Sequence, residues 1–166
     1  LFALRPFPDY RNQIIRTMHN THHRAPQAGL SYYGLSLLSY LRESHPDLTD
    51  DADFIRTRAQ AAAETYSRVI RSGSSRAAAE AAASETLFRG LHFSPCDTLV
   101  HVLRNEFADI VPDEEARRGA RLMLPLLRDV LAGYDFADDF AASPQYDLFY
   151  TELTGAVQIL LEDGVQ

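Results

Sequence analysis

A chain of 166 residues with 46% hydrophobic side chains can bury a sizeable core, which excludes wholesale disorder. A net charge of −7 argues against a general nucleic-acid binder and against docking on an anionic membrane, and no apolar run nears the ~20 residues of a bilayer span. The single cysteine, Cys96, leaves no internal disulfide to form, and the predicted location is the reducing cytoplasm.

The charge is unevenly spread. Residues 1–30 carry four Arg against Asp9, with His19, His22 and His23 in addition; residues 31–128 are close to balanced. Beyond Arg128 stand eight acids and no cation. Every long basic side chain is Arg, so each cationic site carries a permanent charge on a planar fork.

Residues 1–29 read as a loosely ordered N-terminal extension, punctuated by Pro6, Pro8, Pro26 and Gly29, with a helical turn hinted at 10–18. The HNTHHR run reads either as a basic tail or as a weak metal-binding patch through His19, His22 and His23, of the kind that binds metals opportunistically more often than functionally. The opening lacks the long apolar stretch of a signal peptide.

A helical domain is predicted over 30–166. Its first helix places Leu30, Tyr33, Leu37, Leu38 and Leu41 on one face and ends at Pro46. A second, over 51–72, follows an acidic cap, buries Ile55, Ala59, Ala62, Tyr66, Val69 and Ile70, and closes on Gly73. A third, over 75–89, is so rich in Ala that its neighbours can approach closely.

The most fully specified stretch is 93–112. Ser94 can cap it, Pro95 suits its first position, and Asp97 places negative charge in the first turn. Leu99, Val102, Leu103, Phe107 and Ile110 then form one stripe up to Pro112. A fifth helix over 113–134 turns Leu122, Met123, Leu126, Leu127, Val130 and Leu131 inward, with a break at Pro125. After a loop, Ser143 and Pro144 repeat the Ser-Pro opening, and Tyr146, Phe149, Tyr150, Leu153, Val157, Leu160 and Leu161 line the last helix. No segment alternates as a strand does. The fold class is all-α, a compact bundle of about six helices.

Cys96 sits near a helix start, where the dipole lowers a thiol pKa, and His92 four residues earlier could act as its base. No third residue orients that pair, however, and Asp97 beside the thiol raises its pKa. His101 reads as a hydrogen-bonded interior histidine. No Glu-x-x-His motif exists to build a di-iron site. Asn105, Glu106 and Asp109 are the notable polar groups of the fourth helix, with Arg104 or another Arg as the natural partner of Glu106. Tyr150 and Glu152 read the same way. The candidate polar cluster is therefore His92, Cys96, His101, Asn105 and Glu106, with no catalytic residue, metal or cofactor assigned. The junction 89–94 resembles the turn of a helix-turn-helix only superficially, because its Ser-Pro-Cys-Asp start sets an acid where phosphate would lie.

The segments SYYGLSLLSYLRESHPDL, AAAETY, GLHFSPCDTLVHVLRNEFADIVP and YDLFYTELTGAVQILLEDG, in that order, resemble a bacterial family of short acidic proteins of unknown function. The resemblance covers residues 30–166. It implies a compact helical cytoplasmic protein, encoded near conjugative transposons of anaerobic gut and oral bacteria, and it brings no catalytic residue. The expected role is a non-enzymatic protein-interaction accessory of a mobile element, with a protein as partner. A DNA-associated regulator using the Arg-bearing N-terminal arm is the alternative, and a homodimer is compatible with the Ala-rich and aromatic surfaces.

Overall fold

The structure is a computed structural model, and it describes residues 29–163. Apart from Gly29, the predicted extension, with its 10–18 turn and its three histidines, lies outside the described residues. Six helices of eleven residues or more account for most of the chain, and no strand occurs among the described residues. They are α1 (Tyr32–Ser44), α2 (Ala52–Arg71), α3 (Arg76–Phe88), α4 (Pro95–Glu106), α5 (Asp113–Met123) and α6 (Gln145–Asp163).

Side-chain oxygens set most of the helix starts. Ser31, Asp51, Ser75 and Ser94 each accept a hydrogen bond from the amide three residues on, satisfying a donor that the first turn leaves free. Gly73 ends the α2 turn at φ +86, a left-handed conformation that costs glycine little.

The helices bury two clusters. Leu37, Leu41, Ile55, Ala62, Ala83 and Leu87 join α1, α2 and α3, with Ala79 and Ala83 fully covered where α2 and α3 pack most extensively. Leu99, Leu103, Met123, Leu127, Phe149 and Leu153 join α4, α5 and α6. A seam runs between the clusters. Arg117 of α5 donates to the Glu43 carbonyl at 2.8 Å and to Asp97 at 2.9 Å, while the Ser94 hydroxyl donates to the Ser44 carbonyl.

Four predicted details are corrected. Ile70, expected on the inner face of α2, is 39% exposed, because the helix runs past its neighbours in its last turn and its buried positions end at Thr65. The α4 stripe does not continue to Ile110, which is 46% exposed. The helix ends at Glu106, and the Val111 amide then bonds to the Phe107 carbonyl at 2.8 Å. Helical spacing lapses there, and Val111 takes the inward position instead. Leu126 is likewise outside, 61% exposed. Pro125 breaks the helix as predicted, but into a 3₁₀ segment, Leu124–Leu127, followed by a single α-turn, Arg128–Leu131. Three residues per turn eclipse Leu124 and Leu127 on the buried side and turn Leu126 away. Finally, the buried Ser143 hydroxyl has no hydrogen-bond partner among the described residues, so the Ser-Pro opening of α6 lacks the cap that Ser94 gives α4.

Candidate functional site

The α3–α4 elbow is held from both sides. On one side, the Leu91 carbonyl accepts from the Tyr40 hydroxyl at 2.7 Å and from Nε2 of buried His45 at 2.8 Å. On the other, Asp138 accepts from the Gly90 amide at 2.9 Å, from the His92 amide at 3.0 Å, and from His92 Nδ1 at 3.0 Å. Gly90 sits at φ +79, and that conformation lets both amides face one carboxylate.

The Gly90 amide, the His92 amide and the His92 ring together hold the Asp138 carboxyl down to about 2, from an ordinary 3.8. A depressed carboxylate stabilises the fold above its unfolded pKa and stops doing so as pH falls through its folded value. Asp138 is partly exposed, so screening trims this contribution to about 1–2 kcal/mol. The stability difference between the native chain and Asp138→Asn is therefore expected to be full above pH ~5 and to vanish as the pH approaches ~2. Urea titrations at a series of pH values read it directly; a difference that persists undiminished at the acid end would contradict the clasp.

The five predicted site residues do not converge. His92 is exposed and engaged with Asp138. Cys96 is 1% exposed, and burial, followed by the charge of Asp97, pushes its thiol up to about 11. A thiol protonated at neutral pH is a poor nucleophile despite its place in the first turn of α4. His101 is exposed, which corrects the interior position predicted for it: it lies with Arg104 and Asn105 on the side of α4 that faces solvent. Asn105 and Glu106 do share a partner. Asn105 Nδ2 donates to the Tyr150 hydroxyl at 3.4 Å, and that hydroxyl donates to Glu106 at 3.0 Å. The Arg predicted for Glu106 is elsewhere, since Arg104 pairs with Asp113 at 2.8 Å. Both carboxylates are exposed, and water supplies what a buried pair would have required.

Two features escaped the sequence. One is a cleft of about 560 Å³ along the seam, where His45, Pro46 and Leu91 face Phe93, Leu124 and Phe136. The other is the outer face of α6. Leu148, Thr151, Glu152, Gly155, Ile159 and Glu162 fall within about 120° of one another at ~100° per residue, and all are exposed. Leu148 is 56% and Ile159 59% exposed, and nothing lies within 4 Å of where a Cβ on Gly155 would stand. Among the described residues, the carboxylates here meet no cation. Glu152 accepts from the Tyr134 hydroxyl at 2.8 Å and Glu162 from the Gln158 amide at 2.9 Å. Loss of hydration and the Glu152 carboxylate push the Tyr134 phenol up to about 12, so it remains a donor across the physiological range.

Among its described residues the chain is all-helical, with two buried clusters, a buried thiol and an exposed helix face that carries both apolar and acidic side chains. It belongs to the family described as a domain of unknown function, DUF1896, whose model matches residues 25–165. It is similar to the crystal structure of protein PG0816 from the bacterium Porphyromonas gingivalis, at 41% identity and a TM-score of 0.73, over 79% of this chain and 89% of that one. No curated protein matches the chain. No helix among the described residues is long and apolar enough to cross a membrane.

Proposed function

We propose that this chain is a non-enzymatic protein-interaction module, a cytoplasmic accessory of a mobile genetic element that binds a basic, amphipathic helix on the outer face of α6. The observation that carries this reading is the pairing of Leu148 and Ile159, three turns apart on one exposed face, with the open Gly155 between them. Apolar residues at this spacing receive the i, i+3, i+4 and i+7 anchors of a partner helix, and a missing side chain at the centre lets the two backbones approach. Charge sets the partner's sign. Glu152 and Glu162 share the face, and no cation follows Arg128. A second copy docked on the same face would set acid against acid, so a basic partner is the better fit. The mobile-element setting comes from the resemblance to proteins encoded near conjugative transposons.

Affinity capture from the native host, with and without nuclease, tests the role. A stoichiometric protein that remains after nuclease supports the module. Recovery only of DNA and proteins that nuclease removes replaces it with the regulator acting through the N-terminal arm.

A further inference from the structure

The seam cleft lies away from the Leu148–Ile159 face and has a chemistry of its own. Its ~560 Å³ falls within the ~300–1,000 Å³ typical of small-ligand sites, and interfaces between packed units are where such sites form. Leu91, Phe93, Leu131 and Phe136 give it apolar walls. Two guanidinium groups line it, Arg121 and Arg128, against one carboxylate, Asp47.

Neither guanidinium is strongly engaged. Arg121 reaches Glu43 only at 3.5 Å, beyond a good charge-assisted hydrogen bond. Arg128 uses its Nε to donate to the Pro125 carbonyl at 3.0 Å and meets no carboxylate among the described residues. A planar fork free of acid beside an apolar recess is matched by a ligand with a flat single-charge head and a hydrocarbon body. Asp47 in the lining opposes a dianion, which favours a carboxylate over a phosphate monoester.

We propose that the seam cleft binds a small amphiphilic carboxylate, with its hydrocarbon body against Leu91, Phe93 and Phe136 and its carboxylate on Arg128. Arg121, also in the lining, adds a second positive charge. This site is independent of the α6 face.

The test uses sodium decanoate as the probe, titrated calorimetrically into the full chain and into three variants whose unfolding midpoints are recorded alongside. Arg128→Gln is expected to weaken decanoate at least tenfold, a loss of about 1.4 kcal/mol. Decanol, with the same body and no charge, is expected to bind the native chain at least tenfold more weakly than decanoate. Leu131→Trp, which fills the recess, is expected to abolish binding, while Leu148→Ser leaves it unchanged. The proposal is overturned if decanoate fails to bind, if decanol matches it, or if Arg128→Gln with a native midpoint binds as the parent does.

Discussion

Phe149→Ala is expected to lower the unfolding free energy by about 3–5 kcal/mol, among the largest losses a single truncation can give. The ring is fully buried at the middle of an aromatic group, with centroids 5.0 Å from Tyr134, 5.0 Å from Phe136 and 5.7 Å from Phe140. These edge-to-face pairs add to the transfer energy of the ring itself. All three neighbours come from the 134–144 loop, so the loop is anchored to α6 by this one side chain. Chemical denaturation gives the value. Phe149→Leu, which keeps most of the volume, is expected to lose clearly less. A loss under ~1 kcal/mol for the Ala variant would show that this aromatic group does not hold the second cluster together.

Cys96 is expected to be alkylated by iodoacetamide at pH 8 at least ~100-fold more slowly in the native chain than in urea. Its thiol is held near 11, against 9.0 when unperturbed, so the thiolate population falls by about two decades. Its 1% exposure slows the reagent further. Mass spectrometry of timed aliquots measures both rates. Equal rates would reinstate the Cys96–His92 nucleophile. As the structure stands, the helix dipole that favours the thiolate is outweighed by burial and by Asp97, and His92 is committed to Asp138.

The helical architecture was legible because its signals are local. Asp51, Ser75 and Ser94 mark helix starts through short side-chain contacts, and Gly73 marks an end through its own φ. Pro125 breaks the fifth helix for the same kind of reason. Errors came where a local rule was carried past its range. Helical spacing carries the α4 stripe beyond Glu106 to Ile110, where the helix has already ended, and α-periodicity misplaces Leu126, which lies in a 3₁₀ segment. The candidate site was far less legible, because its contacts join distant residues. Asp138 clasps an elbow almost fifty residues away, and Tyr150 reaches Glu106 across a comparable span. The seam cleft exists only because α1–α3 and α4–α6 bury separate clusters, which no periodicity announces. The outer face of α6 could have been found: Leu148, Gly155 and Ile159 share a helical face opposite Phe149, Leu153 and Val157, and an apolar residue on the polar side of an amphipathic helix is a readable signal.

The proposed role turns on that face, and the most direct measurement is the affinity of the captured partner for the native chain and for Leu148→Ser/Ile159→Ser. Both residues are exposed, so the double variant is expected to keep its unfolding midpoint to within ~0.5 kcal/mol of stability. The interaction reading predicts binding weakened at least tenfold, with added salt weakening the native complex as expected for a basic partner on an acidic face. Unchanged affinity in a variant that folds normally would contradict it and move the partner's contact elsewhere on the molecule.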